Sequence, residues 1–110
     1  MQNEEQLDAV FHALANRTRR ALLVQLAEQP ASVTHLARPH DMSLNAVSKH
    51  LMVLERAGLI DRAKAGSGQT CRTSAVPLAD AQTWIATYTN LWNDKLDDLA
   101  GYLEKGEVER

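Results

Sequence analysis

The sequence predicts a mainly α-helical domain with a small β-hairpin, in the order α-α-α-α-β-β-α. Apolar residues recur at helical spacing in four early segments and in one long segment near the carboxyl end. Two short, partly alternating segments lie on either side of a glycine-rich cluster, which is typical of a hairpin. The chain has 110 residues, of which 45% are apolar, and this suits one globular domain with its own core.

Two helices are predicted at the start of the chain, with a polar interruption around residues 15–18. Their apolar positions are Leu7, Val10, Phe11 and Leu14 in the first helix and Leu22, Leu23 and Leu26 in the second. Spacings of three and four residues place each set on one side of its helix. Asn16 or Thr18 can begin the second helix, because a short polar side chain accepts hydrogen bonds from the unpaired amides of a first turn.

The next two helices are predicted to be joined by a short turn. Pro30 interrupts the chain, and Ser32 can cap a short third helix that ends at Pro39. Ser43 can cap a fourth helix that runs to about residue 57. The inward positions of this fourth helix are Val47, Leu51 and Leu54.

A hairpin is predicted to follow the fourth helix. Gly58 can end that helix in the left-handed conformation that glycine adopts without a steric penalty. Residues 59–64 and 69–76 can then pair as two strands around the turn of residues 65–68, which contains Ser67 between two glycines. Pro77 is expected to close the hairpin.

The last helix is predicted to run from about Leu78 to Lys105 with a long apolar stripe. The stripe is too long for the core of a small monomer to cover, so we expect a homodimer. The expected interface residues are Leu7, Val10, Phe11, Trp84, Ile85, Tyr88, Trp92, Leu96 and Leu99. The predicted dimerisation helices are at about residues 5–15 and 78–105 of a single domain.

The third helix, the turn, the fourth helix and the ribbon together predict a winged helix-turn-helix, with a DNA-binding core of about residues 16–76. In this arrangement the second helix of the motif enters the major groove, and the ribbon can reach phosphates or the minor groove. Asparagine pairs well with adenine, and lysine with guanine or phosphate. The candidate DNA-binding residues are Ser43, Asn45, Ala46, Ser48, Lys49, His50, Arg62, Lys64, Gln69 and Arg72.

The distribution of charge favours a nucleic-acid partner although the net charge is −2. Residues 9–78 carry nine basic and four acidic side chains, whereas the flanking segments 1–8 and 79–110 are acidic. A basic centre between acidic ends is expected for a DNA-binding core with a separate assembly surface. The group Arg17, Arg19 and Arg20 can equally contact the DNA backbone or pair with Glu28 or Glu55 inside the fold.

Other reactive side chains give weak signals. Cys71 is the only cysteine, so the chain forms no internal disulfide, and on a short strand it is expected to be a packed apolar residue. His35, His40 and Asp41 lie close in sequence, but their spacing is poor for a nickel or zinc site. We therefore expect no metal and no cofactor. The sequence contains no recognisable catalytic motif, which argues against an enzyme.

Two stretches of the chain resemble ArsR-type winged helix-turn-helix repressors. They are residues 11–20, FHALANRTRR, and residues 42–60, which include MSLNAVSKHL and LERAGLI. The resemblance extends over about residues 7–76 and implies a homodimer whose repression is relieved by a signal. The chain departs from the metal-sensing branches of the family, because residues 32–37 lack cysteine and residues 78–110 lack histidine.

We therefore expect a homodimeric, sequence-specific transcriptional repressor that binds an imperfect palindrome in double-stranded DNA and responds to an unknown inducer. No apolar run is long enough to span a bilayer and no secretory signal is evident, so we expect a cytoplasmic protein. Two alternatives remain at this point. One is a metal-responsive repressor of the same fold, and the other is a winged-helix module that binds a protein through its tryptophan-containing helix.

Overall fold

In the part of the chain that the structure describes, five helices and one antiparallel hairpin follow each other in the predicted order. The computed structural model describes residues 3–66 and 68–108, so Ser67 of the predicted turn lies outside the described residues. The elements are α1 (Glu4–Leu14), α2 (Arg17–Glu28), α3 (Val33–Ala37), α4 (Leu44–Arg56), β1 (Ile60–Ala65), β2 (Gly68–Thr73) and α5 (Val76–Val108). The predicted fold class, mainly helical with a two-stranded wing, is confirmed.

Polar caps explain where the first four helices begin. The Asn16 side chain accepts hydrogen bonds from the amides of Thr18 and Arg19, so Asn16 rather than Thr18 caps α2. The hydroxyls of Ser32 and Ser43 accept from amides in the first turns of α3 and α4. Each cap satisfies amides that have no partner within the helix, and this fixes the first residue of the helix in a sequence-dependent way.

The wing is a hairpin of two six-residue strands, in which Arg62 lies opposite Cys71 and Lys64 lies opposite Gln69. Its base is connected to the helices by the paired backbones of Ala31 and Cys71. The second strand ends at Thr73, three residues earlier than predicted, because residue 76 already begins α5. Pro77 therefore lies in the first turn of α5 instead of closing the hairpin, a position where its missing N–H removes no helical bond.

The hydrophobic core lies between the first four helices and the base of the wing. Val47, Leu51 and Leu54 on α4 are fully buried, as the spacing predicted. Leu22, Leu36, Leu59 and Ile60 supply buried side chains from α2, α3 and the entry to the wing. Because α2, α3, α4 and the entry to the wing all contribute to this one core, close packing helps to hold α4 in position.

The first helix is packed differently from its predicted role. Leu7 is 5% exposed and Val10 is 1% exposed, so both side chains belong to the core of their own chain. This burial leaves the two side chains little area for the dimer surface in which they were expected. Phe11 is half-buried, and its ring meets the ring of Trp84 edge-on with centroids 5.8 Å apart.

The last helix extends well beyond the core. The molecule measures 76 × 34 × 22 Å, and α5 has 33 residues. Ile85, Tyr88, Trp92, Leu96 and Leu99, the residues of the predicted stripe, are each about half exposed. The helix is thus held at its beginning, where Ala81 is buried, and presents an apolar face beyond that point. No helix in the described part of the chain is long and apolar enough to cross a membrane.

Gly58 meets a conformational requirement at the end of α4, and this yields a first prediction. Its φ is +78°, and an added Cβ would lie 3.2 Å from Gln6 Nε2 and 3.3 Å from Pro77 Cγ. We expect Gly58→Ala to lower the free energy of unfolding by about 1–2 kcal/mol, the cost of a left-handed alanine. Gly68→Ala is the control, because a Cβ there meets open space without a positive φ. Urea unfolding checks both, and an equal loss in the two variants would contradict this assignment.

Candidate nucleic-acid interface

The outward side of α4 presents a compact polar surface at its first two turns. Asn45 and Lys49 are exposed and lie four residues apart, which places them on one face of the helix. Ala46 and Ser48 are half-buried beside them. Ser43 is exposed, and its hydroxyl oxygen accepts from the Ala46 amide while its own proton remains available to a phosphate. An amide, a cation and hydroxyls around a small apolar residue form a surface that can read base edges.

A buried arginine holds α4 against the two preceding helices. Arg19 is 9% exposed; its Nε donates to the Ala13 carbonyl and its Nη2 to the His12 carbonyl, both at 2.8 Å. These carbonyls lie in the last turn of α1, where the helix dipole is negative, and the His12 carbonyl also accepts from the Ala15 amide. Its Nη1 lies 3.3 Å from Nδ1 of His50 on α4. One guanidinium therefore connects α1, α2 and α4.

This arrangement favours the neutral form of His50. Arginine can only donate, so the Nδ1 atom that faces Arg19 has to be unprotonated and the proton of neutral His50 sits on Nε2. Burial, the Arg19 charge and His40 all lower the pKa of His50 below its ordinary value. His50 thus lies beside the predicted base-reading residues, but as a structural acceptor whose remaining ring N–H is a hydrogen-bond donor.

The predicted DNA-binding residues of the wing lie on both faces of the hairpin. Lys64 and Gln69 are exposed and lie directly opposite each other, so they share one face of the hairpin near its tip. Arg72 is exposed on the other face, opposite Asp61. Arg62, a further candidate DNA-binding residue, is less exposed than Lys64 and Gln69. Its side chain is 15% exposed and turns toward α4, where Nη2 donates to the Ser48 carbonyl at 3.3 Å.

The arginines of the basic segment are therefore used in two ways. Arg20 Nη1 donates to the Leu14 carbonyl at 2.7 Å, so Arg19 and Arg20 both bind the end of α1 rather than Glu28 or Glu55. Sequence reasoning left open whether these residues contact DNA or brace the fold. The missed signal was their position just after the Asn16 cap, which brings their side chains back over the last carbonyls of the preceding helix.

The weaker candidates are dispersed. His40 Nε2 lies 2.7 Å from Gln25 Oε1, and the same Gln25 donates to the Leu36 carbonyl. Among the described residues no three or more histidine, cysteine, aspartate or glutamate side chains converge as metal ligands. Cys71 is fully buried, and burial raises the pKa of its thiol, which keeps it in the unreactive protonated form.

The aromatic part of α5 forms a second candidate surface. Trp84 stacks on Tyr88 with centroids 5.6 Å apart, and Tyr88 meets the edge of Trp92 at 6.3 Å. A cleft of about 320 Å³ lies between α1 and α5, lined by Glu4, Leu7, Asp8, Phe11 and Trp84. Large, half-exposed aromatic rings in a continuous row are typical of a surface that contacts another protein chain.

Comparison with known proteins gives consistent results. A family model described as a helix-turn-helix domain matches residues 14–63, which contain α2, α3, α4 and the start of the wing. The HTH-type transcriptional regulator Rv2034 of Mycobacterium tuberculosis is 40% identical over 76 residues, or 69% of this chain and 71% of that protein.

Solved structures share the fold over most of its length. The crystal structure of an ArsR family transcriptional regulator is 41% identical, with a TM-score of 0.77, over 84% of this chain and 95% of that one. The homodimeric winged helix-turn-helix DNA-binding domain of Mb0332 from Mycobacterium bovis is 27% identical, with a TM-score of 0.62, over 84% of this chain and 82% of that one.

The contact between His50 and Arg19 predicts a pH dependence of stability. Because folding lowers the pKa of His50, the unfolded chain binds more protons than the folded chain just below the ordinary value of 6.5. The contribution of His50 is therefore present above about pH 6.5 and is lost as the pH falls below it. We expect His50→Asn, which retains an acceptor near the Nδ1 position, to remove the part of the pH dependence of the unfolding free energy that comes from His50.

Urea unfolding followed by circular dichroism at pH 7.5, 6.5 and 5.5 measures the effect. The difference in unfolding free energy between the parent and His50→Asn should move in favour of the variant as the pH falls. His35→Asn removes an exposed histidine on α3 and is the control. Identical pH profiles for the parent and His50→Asn would show that the link does not respond to protonation.

Proposed function

We propose the function of this chain from its family, because the chain belongs to the ArsR-type winged helix-turn-helix transcriptional regulators. Its fold is a DNA-binding fold, and we infer that it acts as a homodimeric repressor by occupying promoter DNA. The observation that carries this proposal is that one small chain has two distinct surfaces. A polar recognition surface lies on α4, and an apolar stripe on α5 is left about half exposed.

In the proposed complex the first two turns of α4 enter the major groove. Asn45 faces base edges, where its amide can form two hydrogen bonds with adenine, and Lys49 reaches guanine or a phosphate. Ser43 and Ser48 bind phosphates and fix the register, while Ala46 contacts a thymine methyl group. Lys64 and Gln69 approach the neighbouring backbone or minor groove from the same face of the wing. Arg72, on the opposite face, contributes charge rather than a direct contact.

The same fold supplies the proposed dimer surface. Phe11 and Trp84 join α1 to α5 within one chain, and the stripe from Ile85 to Leu99 continues the surface along α5. A second copy packed against this stripe by two-fold symmetry would remove several large apolar side chains from water. Two recognition helices related by that symmetry would face successive major grooves about 34 Å apart, so the operator should be an imperfect palindrome.

The proposed DNA contacts predict distinct effects of single substitutions. Lys49→Ala should weaken binding to the promoter of the chain's own gene. It should also reduce the salt dependence of the affinity, because each subunit loses one phosphate contact. Asn45→Ala should cost about 1–3 kcal/mol at the operator and relax the base preference at one position. Lys105→Ala, at the far end of α5, removes the same charge as Lys49→Ala and should bind like the parent.

Fluorescence anisotropy titrations with operator and scrambled duplexes, each at several salt concentrations, measure these effects. The operator itself is found by mobility shift and footprinting on the promoter region. If Lys49→Ala and Asn45→Ala both bind like the parent and Lys105→Ala does not, the recognition surface is elsewhere and the assignment of α4 is wrong.

The proposed assembly is tested by a charge placed inside the stripe. Trp92→Glu should convert a species of twice 12.2 kDa into a monomer at micromolar concentration, because a carboxylate would be buried without a partner. Asn90→Glu, on the opposite side of the same helix, should remain dimeric. Sedimentation velocity distinguishes the two species. A parent protein that is monomeric and still binds the operator tightly would contradict the dimer.

A further inference from the structure

We infer that Arg62 is a positioning residue, which aligns the wing with the recognition helix instead of neutralising a phosphate. The inference rests on the proposed DNA-binding function and concerns how that surface is held together. It departs from the sequence prediction, in which Arg62 was one of the basic DNA ligands. Its side chain is only 15% exposed, whereas a phosphate ligand has to present its charge to solvent in the free protein.

The Arg62 guanidinium contacts two groups on α4. Nη2 donates to the Ser48 carbonyl at 3.3 Å, and Nε lies 3.6 Å from Oε1 of Glu55. Ser48 and Glu55 are seven residues apart, which places them on one face of α4. The Ser48 carbonyl points toward the end of the helix and the Glu55 side chain leans toward its start, so both converge on the same guanidinium.

Because of the location of Arg62 along the hairpin, its contact with α4 affects the orientation of the hairpin tip. The base of the wing is fixed by the buried Ile60 and by the pairing of Ala31 with Cys71, which itself lies opposite Arg62. Beyond this level the described side chains Ala63, Lys64 and Gln69 are exposed. Among the described side chains of β1, Arg62 is thus the last that is not exposed, two residues before Lys64. A change in its contacts would therefore redirect the tip.

Lysine is the informative replacement. Arg62→Lys keeps the positive charge, but an ammonium on a flexible stem cannot contact Ser48 and Glu55 with the fixed geometry of a guanidinium. A phosphate ligand would tolerate this change, whereas a positioning residue would not. We expect Arg62→Ala and Arg62→Lys to lose operator affinity alike, by about tenfold, with the slope of log affinity against log salt unchanged. Lys64→Ala provides the contrast, since it should reduce that slope by about one per subunit.

A double-mutant cycle with Glu55→Gln tests the pairing itself. The loss in Arg62→Ala combined with Glu55→Gln should equal the loss in Arg62→Ala alone, because the contact is already broken. Thermal unfolding confirms that each variant is folded at the temperature of the titration. Arg62→Lys that binds like the parent, or Arg62→Ala with a slope reduced by about one, would identify Arg62 as a phosphate ligand and overturn the inference. Additive losses in the cycle would also overturn it.

Amide hydrogen exchange without DNA separates this inference from the proposed function. Both Arg62 variants should speed exchange several-fold in the hairpin beyond Arg62, with α1 to α3 unchanged. A parent protein that binds no operator, combined with this exchange pattern, would reject the proposed function and retain the positioning role. Unchanged exchange in the hairpin of both variants would reject the positioning role whatever the protein binds.

Discussion

The placement of α4 depends on the burial of the Arg19 guanidinium. Burying a cation is costly, and the structure offsets this cost with two carbonyls at the negative end of α1 and the unprotonated nitrogen of His50. The same three bonds determine how α1, α2 and α4 meet. Because a recognition helix is useful only when its first turns project at a fixed angle, this polar contact complements the close packing of Val47, Leu51 and Leu54 beneath it.

A second constraint comes from the small size of the core. Its buried residues come from α2, the helix-turn-helix, the base of the wing and parts of α1, and from α5 they include Ala81. A 33-residue helix cannot be covered by a body this small, so the aromatic row from Trp84 to Trp92 extends past the core. In the proposed dimer this length is useful, because the surface that joins two copies lies apart from the surface that meets DNA and is acidic where the other is basic.

Sequence patterns predicted the elements and the core because both follow from local rules. Caps at Ser32 and Ser43 and the left-handed Gly58 set the ends of helices, and their physics involves only neighbouring residues. The roles of Arg19 and Arg62 depended on residues 31 and 14 positions away, to which no local pattern refers. The burial of Leu7 and Val10 within their own chain was not predictable for a related reason, since an apolar stripe does not reveal whether its own chain or a partner covers it.

Three arginines that bind carbonyls of their own chain also change the electrostatic interpretation of the sequence. Residues 9–78 contain nine basic side chains, but Arg19, Arg20 and Arg62 are bound to carbonyls of their own chain. Fewer cations than the sequence suggests are then free for phosphates, and Lys49 and Lys64 are the exposed ones placed beside the proposed groove contacts. A small number of phosphate contacts gives weak non-specific binding with a shallow salt dependence. Tight binding would then require two copies and correct base contacts together, which favours a regulator that discriminates strongly between its operator and other DNA.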